Sequence, residues 1–197
     1  MNRLVGVAAL VLLTAGMAAE SNGARPGDAP GLPGDSLYQL QVSLETSQGV
    51  KLPLSSLRGK PLLITMFYSH CTIVCPLLAA DLKNVDHAIT AKERAHIRVL
   101  MVSFDAVRDT PDELKAFEDE HSIHDSRWII ARTTAGDVAL LAAALGIRYR
   151  ELPDHSFNHT TVISLADKDG VVRARAIGLN SADASFMSHV RSLKYDP

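Results

Sequence analysis

This sequence of 197 residues has two cysteines, few aromatic side chains and no marked excess of either charge sign. Lysine and arginine number 20 against 22 aspartate and glutamate residues, and the formal net charge is −2. The two signs are interspersed, so there is no basic stripe of the kind that binds nucleic acid. Aromatic residues make up 5%, which also argues against a base-stacking surface. A hydrophobic share of 47% indicates a globular rather than a disordered chain.

A nearly unbroken apolar run, residues 4–15, lies near the amino terminus, follows Arg3 and precedes the small residues Gly16, Ala18 and Ala19. This order is typical of a secretory signal peptide. The run is shorter than the roughly 20 residues that cross a bilayer comfortably. We therefore predict that residues 1–19 are a signal peptide that is cleaved near its end. The alternative is a short uncleaved anchor, which is the one predicted membrane attachment. No cysteine stands directly after the run, so we expect no lipoprotein anchor.

The rest of the chain is predicted to form one domain at residues 37–197, joined to the signal by a flexible tether at 20–36 that is rich in glycine and proline. A continuous apolar run at 62–68 predicts a strand buried on both faces, and apolar residues at helical spacing from Leu78 to Ile89 predict the helix after it. The other predicted elements are a hairpin at 38–44 and 50–54, strands at 99–104 and 128–131, helices at 110–121, 137–145 and 182–195, and a hairpin at 161–165 and 171–177. This order predicts an α/β, thioredoxin-like fold, with an N-terminal β-hairpin and a central mixed sheet flanked by helices.

Cys71 and Cys75 lie where the buried strand passes into the helix, and Pro76 follows them. A disulfide across so short a loop removes little unfolded-state entropy, so redox chemistry or metal binding explains the pair better than a structural bridge. If the segment is helical, both thiols share one face; related loop conformations bring them within disulfide range instead. A helix N-terminus favours thiolate over thiol, and thiolates outside the cytosol select Cu(I).

Two thiolates leave a metal ion under-coordinated, and histidine is the usual third ligand. Eight histidines are present. His159 is the first candidate because it immediately precedes a predicted strand, and in this fold that loop lies beside the helix carrying the cysteines. His155, four residues earlier, is the main rival. His70 adjoins Cys71 and is a candidate secondary ligand.

Three blocks of the sequence resemble the Sco/SenC family of copper-delivery proteins. Residues 67–76 resemble its C-x-x-x-C-P motif, residues 102–105 and 108–111 resemble its strand-and-turn motif, and His159 precedes Gly170 by the spacing of its metal-binding histidine. The resemblance covers residues 37–193. Ser69 stands where the family usually has threonine, and Ala106 where it often has proline, but neither change removes a ligand.

The resemblance implies a copper metallochaperone with Cys71, Cys75 and His159 as ligands for Cu(I), with Cu(II) left open. Asp105 resembles a family position near the site; it either orients and tunes the site or serves as a turn residue. The implied partner is the copper-accepting subunit of cytochrome c oxidase, which receives copper, has its cysteines reduced, or both. Thiol reductants and other copper chaperones are further implied partners. The implied location is the periplasm, or the outer face of the inner membrane, of a bacterium.

Two other functions remain open from the sequence. A metal-free thiol-disulfide oxidoreductase is the enzymatic alternative. Against it, three residues rather than the usual two separate the cysteines, and His159 would have no clear function. A peroxiredoxin-like peroxidase is the second, because residues 72–76 look like that family's T-x-x-C core. Against it, Tyr68 stands where that family has a proline, and His159 lies where it has an arginine.

Overall fold

The computed structural model describes residue 1 and residues 31–193. Residues 2–19 of the predicted signal peptide, residues 20–30 of the tether and the end of the helix predicted at 182–195 lie outside the described residues. Within 31–193 the strands are β1 (Ser43–Thr46), β2 (Lys51–Pro53), β3 (Leu62–Phe67), β4 (Arg98–Ser103), β5 (Trp128–Arg132), β6 (Tyr149–Glu151), β7 (Phe157–His159), β8 (Val162–Ala166) and β9 (Val172–Ile177). The α-helices of the same range are α1 (Val74–His87), α2 (Ala91–Arg94), α3 (Pro111–Glu120), α4 (Ala135–Leu145) and α5 (Ala184–Ser192). Among these described residues, none of the helices combines the length and the apolar composition that a membrane-spanning helix needs.

The main sheet has seven strands in the order β2-β1-β5-β4-β3-β8-β9. Strands β3, β4 and β5 are parallel, and the other pairings are antiparallel. All six residues of β3 and five of the six in β4 are buried, as expected for strands covered on both faces. The predicted α/β fold with a central mixed sheet and helices around it is confirmed.

Threonine residues cap α3 and α4, and of the two caps the sequence predicts only Thr110, at the start of the helix predicted at 110–121. Thr110 accepts a hydrogen bond from the Glu113 N–H at the start of α3, as the sequence predicts, and Thr134 caps α4 in the same way. Gly146 ends α4 in the left-handed conformation that glycine adopts without strain.

The strand predicted at 38–44 is wrong over residues 38–42, since β1 begins at Ser43. Tyr38 lies in a short 3₁₀ turn, Leu37–Gln39, where its buried hydroxyl donates to the Leu57 carbonyl oxygen at 3.1 Å. Burial raises the pKa of this hydroxyl to about 12. Ser36, the last residue of the predicted tether, is also buried and bridges to Val171, so it belongs to the fold.

Strand directions bring three segments to one edge of the sheet. β3 and β4 are parallel, so the loops after both lie at the same edge. β8 runs antiparallel to β3, which places the chain before β8 at that edge too. The cysteine segment, the loop after Ser103 and His159 therefore meet there. The start of the described chain lies at the opposite edge, where the Leu37 N–H donates to the Gly170 carbonyl in the β8–β9 turn.

Gly170, in the β8–β9 turn, is predicted to tolerate replacement less well than Gly49. Its φ is +82°, and a Cβ there would lie 2.7 Å from the Tyr38 ring and 2.8 Å from Ser36 Oγ. Gly49 has a φ of +72° with open space around it and is the matched control. We expect Gly49→Ala to cost about 1–2 kcal/mol of unfolding free energy from backbone strain. Gly170→Ala should cost about 1–3 kcal/mol more because of overpacking. Urea unfolding measures both, and equal losses would show that the close approach of Tyr38 carries no energy.

Candidate metal centre

Cys71 lies in the loop between β3 and α1, and Cys75 lies in the first turn of α1. Cys71 is half-buried, whereas Cys75 is completely buried in the hydrophobic core, and both are free thiols. The predicted position of the pair, at the passage from a strand to a helix N-terminus, is confirmed. Since α1 begins at Val74, Cys71 lies outside the helix, and the arrangement is the loop alternative rather than two thiols on one helical face.

The sulfur of Cys71 takes the place of a helix cap. The N-cap residue of α1, Ile73, makes no side-chain capping bond. Instead the Cys75 N–H donates to Cys71 Sγ at 3.3 Å. An unpaired N–H group at a helix N-terminus is thereby satisfied by sulfur, and the positive end of the helix dipole points at it.

The two thiols differ in acidity. Burial alone would raise the pKa of Cys71, but hydrogen bonds from the N–H groups of Cys75, Ile73 and Val74 outweigh burial and hold that pKa below its usual value. Burial raises the pKa of Cys75 strongly, and the charges of Cys71 and Asp109 raise it further. Cys71 is therefore the thiol that ionises first and the more nucleophilic of the two near neutral pH.

His159 ends the short strand β7, which pairs with β6 in a separate two-stranded ribbon. From the sequence, His159 is predicted to lie in a loop. This prediction is wrong because a strand of three residues leaves too little periodicity to detect. The ring is half-buried and packs 5.0 Å from the Phe104 ring and 6.2 Å from the Tyr68 ring, measured between centroids.

The tautomer of His159 suits a metal ligand. Its Nδ1 lies 3.3 Å from the Thr160 carbonyl oxygen, which accepts a hydrogen bond and cannot donate one. The proton of the neutral ring therefore belongs on Nδ1, and Nε2 keeps a free lone pair. Burial lowers the pKa of His159, with the Thr160 contact opposing it weakly, so the ring is neutral over a wider pH range.

Tyr68 connects the histidine to the sulfurs. Its ring borders His159, and its hydroxyl lies close enough to Cys71 and Cys75 for both thiols to influence its acidity. Burial raises the pKa of Tyr68, and the neighbouring thiols raise it further, so its hydroxyl keeps its proton.

Within residues 31–193, no three Cys, His, Asp or Glu side chains are spaced to hold a metal ion. The imidazole and the thiols thus share one corner without forming a closed three-ligand set.

The other two histidine candidates are engaged with carboxylates. His155 has a φ of +60° in the turn between β6 and β7, and its Nδ1 lies 2.8 Å from Glu151 Oε1. His70 is exposed, and its Nδ1 lies 3.0 Å from Ser69 Oγ and 3.5 Å from Asp109 Oδ1.

Asp105 is buried and organises the turn after β4. Its Oδ1 accepts from the Arg108 N–H at 2.9 Å and the Val107 N–H at 3.3 Å, and its Oδ2 pairs with the Arg108 guanidinium. The geometry matches the turn role that the sequence left open for it. The Arg108 side chain also donates to the His155 carbonyl oxygen, so this turn braces the ribbon that carries His159.

Two further residues shape the site, Tyr68 and Asp109, and the sequence predicts no role in the site for either. Tyr68 ends the predicted strand at 62–68 and stands where peroxiredoxins have a proline, but neither feature predicts its contact with His159. Asp109 is completely buried and accepts hydrogen bonds from the Ser69 N–H, the Ser69 hydroxyl and the Ser103 hydroxyl. The block 108–111 was the available signal for Asp109, but the sequence does not indicate what its carboxylate contacts.

The family model described as SCO1/SenC matches residues 34–193 of the chain. A protein of Stutzerimonas stutzeri named for copper binding is 21% identical over 137 residues, which cover 68% of this chain and 66% of that protein. The chain thus spans just under two thirds of that relative.

Solved structures share the fold. ScoI of Bradyrhizobium japonicum with copper bound has a TM-score of 0.62 and 24% identity, covering 75% of this chain and 96% of that one. BsSco, described as having a disulfide switch and as belonging to the Sco family of cytochrome c oxidase assembly proteins, has a TM-score of 0.65 and 21% identity, covering 76% and 89%. The resemblance drawn from the sequence is therefore confirmed: the chain belongs to the SCO1/SenC family.

Proposed function

We propose that this protein is an exported copper metallochaperone that carries copper on Cys71, Cys75 and His159 and serves the assembly of the copper centre of cytochrome c oxidase. One observation carries the proposal: a sulfur that accepts an N–H at a helix N-terminus lies in one corner with a second thiol and a half-buried imidazole. Membership of the SCO1/SenC family supports copper over the peroxiredoxin-like alternative.

The ligand chemistry suits Cu(I). Two thiolates and one neutral imidazole form a soft donor set, and each thiol loses its proton on binding. Cys71 is poised for this because N–H groups already stabilise its charge. Burial disfavours the thiolate of Cys75, and a direct sulfur–copper bond offsets that cost, so Cys75 loses its proton when copper binds.

Closing the third bond requires the β6–β7 ribbon to shift. β6 and β7 have three residues each, none fully buried, and they pair with each other rather than with the main sheet. The ribbon is held by the hydrogen bond from Arg108 to the His155 carbonyl oxygen and by the stacking of Phe104 on Tyr149, so the copper–imidazole bond must offset the cost of displacing it. His159 can then approach the sulfurs, and copper leaves by the reverse movement once an acceptor's thiolate reaches Cys71, the more exposed of the two thiols.

We expect Cys71→Ser or Cys75→Ser to abolish stoichiometric Cu(I) binding. His159→Ala should weaken it by at least about tenfold, or roughly 1.4 kcal/mol. Anaerobic titration against a chromophoric Cu(I) competitor measures all three variants. His155→Ala is the matched control, since that histidine is exposed and paired with Glu151, and it should bind copper like the unmodified protein. Unchanged affinity in His159→Ala would remove His159 from the site.

Thiol-disulfide exchange is a second candidate function, favoured by the unequal thiols. Cys71 would attack a target disulfide, forming a mixed disulfide and releasing one target thiol. Cys75 would then attack the Cys71 sulfur, releasing the second target thiol and leaving a Cys71–Cys75 disulfide. Two electrons pass to the target, and the oxidised pair has no thiolates left for copper.

Alkylation should distinguish the two thiols. We expect the Cys71 thiol, measured in Cys75→Ser, to react with iodoacetamide at least about tenfold faster than the Cys75 thiol, measured in Cys71→Ser, because nucleophilicity follows thiolate character and exposure. Mass spectrometry at timed intervals gives both rates. In urea the two rates should converge, which is the control. Equal rates in the folded variants would contradict the assigned order of attack.

Export is proposed from the amino-terminal segment. The apolar run at 4–15 has the length and flanks of a signal peptide, and the thiol chemistry suits an oxidising compartment. We expect the intact mass of protein from the periplasmic fraction of an expressing bacterium to lack about 18 or 19 residues. A full-length mass in the membrane fraction would establish the anchor alternative instead.

A further inference from the structure

The Asp109 carboxylate is completely buried beneath the cysteine loop, and the copper and thiol chemistry described above does not use it. Its Oδ2 accepts from the Ser69 N–H at 3.0 Å and from the Ser103 hydroxyl. Its Oδ1 accepts from the Ser69 hydroxyl at 2.6 Å and lies 3.5 Å from His70 Nδ1. Hydrogen bonds to an ionised acceptor are about twice as strong as neutral ones.

These donors belong to different parts of the fold. Ser69 lies in the loop between β3 and α1, two residues before Cys71. Ser103 is the last residue of β4, and Asp109 itself directly precedes Thr110, the N-cap of α3. A single carboxylate therefore ties the cysteine loop to the end of β4 and the start of α3.

The restraint reaches Cys71 through the backbone. The Cys71 N–H donates to the Tyr68 carbonyl oxygen at 3.3 Å, closing a turn that contains Ser69. Beyond that turn, Cys71 Sγ accepts from the Cys75 N–H. Asp109 therefore holds Ser69 through both its N–H and its hydroxyl, and this restrains the turn that orients the Cys71 sulfur toward the first turn of α1.

We propose that Asp109 is a positioning residue that holds the Cys71 loop so that the two sulfurs stay within bonding reach. The inference deepens the proposed thiol function and rests on it. The quantity it controls is the effective concentration of one thiol toward the other. In the exchange with glutathione, one glutathione disulfide is reduced to two glutathione thiols while the Cys71 and Cys75 thiols are oxidised to a disulfide. A loosened loop makes this intramolecular disulfide less favourable.

Asp109→Asn keeps the shape but has one oxygen for three donors. We expect the effective concentration, measured by equilibrating the protein with glutathione buffers and quantifying the intramolecular disulfide, to fall about ten- to hundredfold, the equivalent of one lost hydrogen bond to a charged group. Ser69→Ala removes one of the three bonds and leaves the carboxylate charge in place. A smaller fall in that variant reports the loop itself rather than the charge near Cys75, and it keeps the proposal testable if Asp109→Asn does not fold.

Asp81→Asn is the matched control. Asp81 is also a buried carboxylate, and both of its oxygens accept from the Ser181 N–H at 3.0 Å, so it ties α1 to the segment before α5 rather than to the cysteine loop. Urea unfolding should show a comparable loss of stability in Asp81→Asn and Asp109→Asn, while Asp81→Asn keeps the effective concentration within roughly twofold.

If Asp109→Asn and Ser69→Ala lose stability but keep the effective concentration of the unmodified protein, Asp109 is purely structural and this inference is wrong while the thiol function stands. If the unmodified protein forms no Cys71–Cys75 disulfide in any glutathione buffer, the thiol function fails and takes the inference with it. The double variant should lose little more than Asp109→Asn alone, since both changes break the same contact.

Discussion

The hydrogen bond from the Cys75 N–H to Cys71 Sγ is the interaction on which the site depends. A helix N-terminus must satisfy its N–H groups, and α1 does so with a sulfur because its N-cap residue, Ile73, has no polar side chain. The same contact favours the thiolate of Cys71 and keeps its sulfur near the second cysteine. In the proposed function, nucleophile, soft metal ligand and structural cap are therefore one atom, and a change to any of these roles affects the other two.

The sheet explains why this atom has useful neighbours. Parallel pairing of β3 with β4 and antiparallel pairing with β8 bring the cysteine loop, the turn that contains Asp105 and Asp109, and the segment of His159 to one edge. The central strands are buried along nearly their whole length, so this edge is rigid where the loops leave it. Leu37 lies at the opposite edge, where its N–H donates to the Gly170 carbonyl oxygen.

Features that depend on local chemistry were predictable from the sequence, and features that depend on distant contacts were not. The apolar run of β3 and the Thr110 cap of α3 are read directly from neighbouring residues. Tyr38 alternates with apolar neighbours as a strand residue would, but the Leu57 carbonyl and the close approach of Gly170 hold it in a turn. Asp109 shows the same limit for the site, since its partner Ser69 lies 40 positions away. The cysteines were identified because their spacing carries the chemistry, whereas the distance from His159 to them is set by a ribbon too short to leave a pattern.

The separation of His159 from the sulfurs has a consequence for the proposed carrier, which must release the copper that it binds. A fully formed three-ligand site would hold Cu(I) without reorganisation and give it up slowly. Here the imidazole rests against Phe104 and Tyr68 on a ribbon outside the main sheet, with its Nδ1 proton on the Thr160 carbonyl. In the proposed carrier, the free energy of the copper–imidazole bond is reduced by the cost of moving this ribbon, while the two thiols sit on the rigid edge and retain the metal. Affinity then comes mainly from the sulfurs, and the histidine controls when an acceptor's thiolate can take its place.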